Sequence, residues 1–224
     1  MCGRFLLTSD AGSLSELCGV QIDGIMPRWN IAPTQTVWCV QSGLKDRDVR
    51  PCRWGMIPRW SASGKASRLL INARSETAAE KPSFSDSMRH RRCVIPANGF
   101  YEWSGAKSER TPWCIARTDR KPFLMAGLWA SSLGADGHSV ETCCILTTRA
   151  NAVMCPIHDR MPVVMNREQA EKWLDLQSVP STDMMNLLQP CPDDWLEAWR
   201  VHPQVNRASF DEASCILPIA ASTS

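Results

Sequence analysis

CVIPANGFYEWSG, residues 93–105, reads as a strand, a turn and a second strand. Cys93-Val94-Ile95 is apolar and β-branched, Pro96-Ala97-Asn98-Gly99 carries turn formers, and Phe100-Tyr101-Glu102-Trp103 resumes with aromatic strand formers. Working outward, runs of the same character recur at 5–8, 36–41, 53–57, 92–95, 113–117, 123–129, 143–148, 161–165 and 215–219, punctuated by Pro, Gly and Asn. Helical patterning is scarcer. Asn166 stands as an N-cap before REQAEKWLDL, in which Ala170, Trp173, Leu174 and Leu176 fall largely on one side. STDMMNLLQ is a shorter candidate stopped by Pro190, with weaker ones at 13–19, 83–91 and 193–199. The fold class is therefore α+β with β dominant: a curved antiparallel sheet or partial barrel with a few peripheral helices.

A chain of 224 residues with 44% hydrophobic and 21% charged residues buries a sizeable core and is read as one domain over 1–224, with 218–224 as a flexible tail. That composition excludes a disordered chain. No internal repeat, P-loop or Rossmann glycine motif is present, and no cofactor is implied. The net charge of +2 is unevenly spread. Residues 59–120 carry twelve Lys/Arg against six Asp/Glu, and residues 163–224 carry four against nine, which is compatible with one positive face and a polyanionic partner.

The eleven cysteines include no pair separated by two residues, and Cys155-Pro-Ile-His158 is the only Cys/His pair at that spacing. Too few ligands converge in sequence for a metal site, so none is expected. Neither a signal-peptide pattern nor a membrane-length apolar run is present, and the expected setting is intracellular and cytoplasmic, with reduced thiols.

Four places offer chemistry. Cys2 follows Met1, and loss of Met1 leaves a 1,2-aminothiol. An α-amine has a pKa of about 7.7–8 against about 10.4 for lysine, so much of it is a neutral nucleophile near neutral pH. Two reactions suit it: attack on an acyl carbon through sulfur, as in N-terminal-nucleophile peptidases and amidases, or condensation of the amine with an aldehyde followed by thiol closure to a thiazolidine. In LLINARSET, strand alternation puts Asn72 and Arg74 on one face, where Arg74 either forks onto a phosphate or pairs with Glu76. Glu102 lies between Tyr101 and Trp103, either desolvated by them and fit for proton transfer or facing water. His158 and Arg160 stand in a loop entering a strand, facing a ligand or solvent.

Taken in order, Met-Cys-Gly-Arg-Phe at 1–5, Asn30-Ile31-Ala32-Pro33, Trp54-Gly55-Met56-Ile57-Pro58, Ile71-Asn72-Ala73-Arg74-Ser75-Glu76-Thr77, Gly99-Phe100-Tyr101-Glu102-Trp103 and Ile157-His158-Asp159-Arg160-Met161-Pro162 closely resemble the SRAP family of abasic-site processing proteins. VHPQVN at 201–206 resembles its closing segment. The resemblance implies a monomer that binds single-stranded DNA and is joined covalently through Cys2 to the ring-opened sugar of an abasic site. It implies that Asn72 orients the amine and sugar hydroxyl, that Glu102 shuttles protons and that His158 assists sugar opening. By the same resemblance Arg4, Arg74 and Arg160 hold phosphates, Trp60 stacks on or wedges a base, Asn30 and Pro33 line the cleft, and Thr147 offers a backbone contact. Three phosphate contacts correspond to a salt slope of roughly −2 on a single strand.

Overall fold

The two strands of residues 92–104 do not pair with each other. A computed structural model describes residues 2–42, 47–58, 69–106, 109–133, 138–177 and 182–219. The strands in chain order are β1 (Phe5–Leu7), β2 (Arg28–Ile31), β3 (Thr36–Ser42), β4 (Arg47–Trp54), β5 (Asn72–Arg74), β6 (Arg92–Ala97), β7 (Gly99–Ser104), β8 (Thr111–Arg117), β9 (Phe123–Leu133), β10 (Ser139–Arg149), β11 (Arg160–Pro162), β12 (Val164–Met165) and β13 (Leu196–Arg200). The helices are α1 (Ala11–Cys18), α2 (Ser75–Ala78), α3 (Ser85–His90), α4 (Arg167–Leu174) and α5 (Thr182–Leu187).

Asn98 alone separates β6 from β7, and there the chain leaves one sheet for another. Its side chain makes the crossing rigid: Oδ1 accepts from the N–H groups of Thr8 (2.8 Å) and Ser9 (2.9 Å), and Nδ2 donates to Ser9 Oγ (2.7 Å). β7 joins an antiparallel sheet in the order β13-β8-β7-β1-β2. β6 belongs to a ring in which β10 pairs with β4, β4 with β3, β3 with β6, β6 with β9 and β9 with β10, so the barrel closes fully and its β4–β10 seam is parallel. Closure removes the sheet edges that a partial barrel leaves open. Beyond the ring β10 runs on between β5 and β11, and β12 pairs with β9. Phe5 packs edge-on against Trp54 at 5.2 Å and Phe100 against Phe123 at 6.5 Å, fastening the five-stranded sheet to the barrel.

The crossing tolerates no side chain at its first position. A Cβ on Gly99 would lie 2.7 Å from the Ile115 carbonyl oxygen and 3.0 Å from Leu6 Cδ2. Gly99→Ala should therefore cost about 1–3 kcal/mol, measured as a lowered urea midpoint at constant slope; an unchanged midpoint would mean that the two strands have room to part.

The helix expected after Asn166 forms with a reciprocal cap: Asn166 accepts from Gln169 N–H (2.9 Å) and Gln169 accepts from Asn166 N–H (3.0 Å). Three sequence expectations are corrected. The run 53–57 is not one strand, because Gly55 at φ +133° ends β4 at Trp54 and leaves Met56 to bridge Leu70. The helix expected at 193–199 is a single 3-10 turn followed by β13, which pairs along the edge of β8 from Leu196–Arg117 to Arg200–Trp113; cross-strand pairing outweighs local helix preference there. Residues 213–216 form a 3-10 turn where a strand was expected at 215–219. Pro218 bridges Val201 and Ile219 N–H donates to Arg200 O (3.0 Å), so these two residues of the expected tail are held. Among the described residues no helix is long and apolar enough to cross a membrane.

Candidate active site

Cys2 lies within two residues of the chain start, where ends usually fray, yet it is wholly buried. The register explains this. β1 pairs Phe5 with Phe100 and Leu6 with Gly99, and Tyr101 N–H donates to Arg4 O (2.9 Å). Continued by two residues, that antiparallel register carries Gly3 alongside Glu102 and leaves Cys2 beside it. From the barrel side, Asn72 Nδ2 donates to the Cys2 carbonyl at 2.8 Å. β5 holds Asn72 there through its parallel pairing with Ile145–Thr147 of β10. The Asn72 Oδ1 is buried with no hydrogen-bond partner among the described residues, an acceptor facing the same corner.

Burial, and then the carboxylate of Glu102, push the Cys2 thiol up to about 12. The sulfur is therefore a thiol, not a thiolate, at neutral pH. Glu102 is only 5% exposed, so it does not face water. It is not sandwiched by its neighbours either: strand alternation sends Tyr101 and Trp103 to the other face, where Tyr101 Oη donates to Trp29 O (2.7 Å) and Trp103 Nε1 to Asn206 Oδ1 (2.7 Å).

Arg4 and Asn30 turn inward. Arg4 Nη1 donates to Asn30 Oδ1 and to Val205 O, both at 2.8 Å, and burial lowers its pKa. Asn30 is fully buried and donates to the carbonyls of Val205 (3.1 Å), Arg207 (3.0 Å) and Phe210 (2.6 Å). Asp211 accepts from the Trp29 and Asn30 N–H groups (2.6 and 2.9 Å) and pairs with Arg28. The closing VHPQVN segment is thus lashed over β1 and β2, and the Asn30 side chain supports that strap and is closed off from any cleft. No sequence signal marked Asp211. Pro33 is half-buried in the turn between β2 and β3, next to Thr34 at φ +77°.

On the opposite flank Thr147 of β10 pairs with Arg74 on one side and Pro162 on the other. Arg160 forks onto Glu76 (2.6 and 2.8 Å) and donates to Thr147 O (2.5 Å). Glu76 therefore pairs with Arg160 rather than Arg74, and this pairing lowers its pKa. Arg74 is exposed, with no ion pair among the described residues. Thr147 is buried and its Oγ1 donates to Ala73 O (3.4 Å), so it braces β5. His158 Nδ1 accepts from Arg160 N–H at 3.0 Å and lies 2.8 Å from Asp159 Oδ1. The two contacts need opposite protonation of Nδ1. Asp159 is 82% exposed, where such a pair is worth little. Trp60 lies outside the described residues. No three Cys, His, Asp or Glu side chains converge as metal ligands among the described residues.

The site thus joins a pinned Cys2 backbone, a protonated thiol, a buried carboxylate, an open amide acceptor and an exposed arginine. A family model for the SOS response associated peptidase (SRAP) matches residues 1–208. The chain is 36% identical over 213 residues to abasic site processing protein YoqW of Bacillus subtilis, covering 92% of this chain and 94% of that one. It is 30% identical to YedK of Escherichia coli, with 78% and 79% covered, and 30% identical to HMCES of Xenopus tropicalis, with 98% and 78% covered, both also named abasic site processing proteins. A solved protein from Bacteroides thetaiotaomicron superposes with a TM-score of 0.87 at 25% identity, covering 98% of this chain and all of the other. Motif order, fold and coverage agree, and the chain belongs to the SOS response associated peptidase family.

Proposed function

We propose that the protein processes abasic sites in single-stranded DNA by forming a thiazolidine between Cys2, freed of Met1, and the ring-opened deoxyribose. The observation that carries this reading is a wholly buried Cys2 at the chain start, its own carbonyl gripped by Asn72, alongside the strand that carries the buried Glu102. An N-terminal peptidase gains from a lowered thiol pKa, whereas amine-first condensation needs the thiol only after an imine exists. The relatives named abasic site processing proteins point to an abasic site as substrate, and its ring-opened sugar carries the aldehyde.

In the proposed sequence the Cys2 amine attacks the sugar C1′, forming a C–N bond, and the carbonyl oxygen leaves as water with a proton delivered through Glu102. The thiol then adds across the C=N bond: sulfur bonds carbon, and its proton passes by way of Glu102 to the nitrogen. The net change is the loss of one water. Asn72 Oδ1 accepts from the amine or a sugar hydroxyl, and His158 assists opening of the sugar. Arg74 meets a phosphate, joined by Arg160 once it releases Glu76, while Arg4 orders the first strand from inside.

The test mixes the protein with a single-stranded oligonucleotide bearing one abasic site and follows it on a denaturing gel and by intact mass. A heat-stable adduct lacking Met1 and one water is expected. Reversible binding alone, peptide hydrolysis without a shifted band, or an adduct that retains Met1 would each end the proposal. Binding to an undamaged strand gives a second check. Arg74→Ala should flatten the log affinity against log salt slope by about 0.7, and Glu76→Gln, which frees Arg160, should steepen it by about as much; unchanged slopes in both would remove these arginines from the DNA path.

A further inference from the structure

One layer of the barrel is lined by thiols that the site above does not use. The pairings Gln41–Cys93, Val37–Cys52, Trp54–Cys143 and Cys93–Gly127 put Cys39, Cys52, Cys93 and Cys143 on the same face of four ring strands, and all four are buried. On β4 the alternate residues Pro51 and Arg53 are exposed while Cys52 and Trp54 are buried, so the cysteine face is the barrel interior. Cys52 lies diagonally next to Cys39 across the β3–β4 pairing and to Cys143 across the β4–β10 pairing. On β9 the matching position is Gly127, where a Cβ would lie 3.0 Å from Cys93 Sγ. Toward the mouth, Gln41 Nε2 donates to Cys52 Sγ (3.4 Å) and Glu141 Oε2 (3.1 Å). Cys52 Sγ is 3.8 Å from Glu141 Oε2, and Arg50 reaches Glu141 Oε1 at 3.4 Å. Arg50 is half exposed, so this polar plug adjoins solvent.

We propose that this layer is an oxidation site, in which Cys52 reacts with a hydroperoxide and passes into a disulfide with Cys39 or Cys143. Donation from Cys143, then Cys39, draws the Cys52 thiol down, while burial holds Cys39 and Cys143 well above the ordinary thiol range. Gln41 Nε2 donates to the same sulfur, and donors to sulfur favour the thiolate, its nucleophilic form. Glu141 takes the proton of Cys52 and returns it to the leaving peroxide oxygen. The sulfur attacks one peroxide oxygen, the O–O bond breaks, and water (or an alcohol from an organic hydroperoxide) leaves behind a sulfenic acid. The neighbouring thiol attacks that sulfur, the S–O bond breaks and a second water leaves. Two thiols lose two electrons and the hydroperoxide gains them.

The test uses the full chain carrying Cys155→Ser, since Cys155 is exposed and oxidises independently. The protein is titrated with hydrogen peroxide, alkylated under denaturing conditions and mapped without reductant. The expected product is two hydrogens lighter, reverts with dithiothreitol and links the Cys52 peptide to that of Cys39 or Cys143. Cys52→Ser should slow disulfide formation at least about tenfold. Should that variant fail to fold, Gln41→Leu, which removes the amide donor, should slow it in the same direction. A native protein whose barrel thiols stay reduced until denaturant is added, or whose first disulfide omits Cys52, would overturn the proposal.

Discussion

Cys2→Ala is expected to abolish the heat-stable DNA adduct. Alanine at position 2 is as small as cysteine and permits the same loss of Met1, so the amine and its carbonyl grip by Asn72 remain. What disappears is ring closure. An imine then forms and hydrolyses reversibly, whereas in the native chain an intramolecular thiol acts at an effective concentration of about 10⁵ M or more. A millimolar thiol added to the solution cannot replace it. Two controls separate chemistry from damage to the fold. Borohydride should trap the imine and restore a band with Cys2→Ala and Cys2→Ser, because both keep the amine. The urea midpoint should shift by only about 1 kcal/mol, since one buried sulfur is lost. A band of native intensity with Cys2→Ala in the absence of borohydride would remove sulfur from the mechanism.

A second large effect is expected at high pH. Cys2, Cys93 and Cys144 are fully buried and are held near 12 chiefly by burial, and Cys114 is raised in the same way. In the unfolded chain each titrates at about 8.5. Below that pH both states carry the proton and these thiols make no difference. Above it the unfolded chain releases protons that the folded chain retains, so stability falls as pH rises, by about 1.4 kcal/mol per unit for each thiol. Four such groups together remove about 5 kcal/mol per unit, comparable with the whole stability of a typical domain. The urea midpoint should be flat from about pH 6 to 8 and collapse between about 9 and 10.5. Cys144→Ala should reduce that slope by about 1.4 kcal/mol per unit. A midpoint that is the same at pH 8 and pH 10 would show that these thiols ionise inside the fold.

The strands rich in β-branched and aromatic residues between Pro, Gly and Asn were legible locally, as was the capped helix after Asn166, because strand preference and capping act over a few neighbouring residues. The β13 strand was not, since its partner β8 lies some eighty residues earlier and only that edge makes it extended. In the site, residue types were readable and attachments were not. Arg160 and Glu76 meet because β11 and β5 flank the same stretch of β10. Asn30 proved to be an internal brace because three carbonyls beyond residue 200 converge on its amide.

By itself the amino-acid sequence determined the chemistry on offer: an aminothiol behind Met1, a carboxylate among aromatics, arginines in a mid-chain cationic stretch, and β-rich elements to carry them. Tertiary structure alone decided that the barrel closes, that Glu102 is buried beside Cys2, that Arg74 is the arginine facing solvent, and that four distant cysteines form one layer. Composition and spacing constrain a residue's near neighbours, whereas strand partnership is settled by burying every apolar face and pairing every backbone group across the whole chain at once.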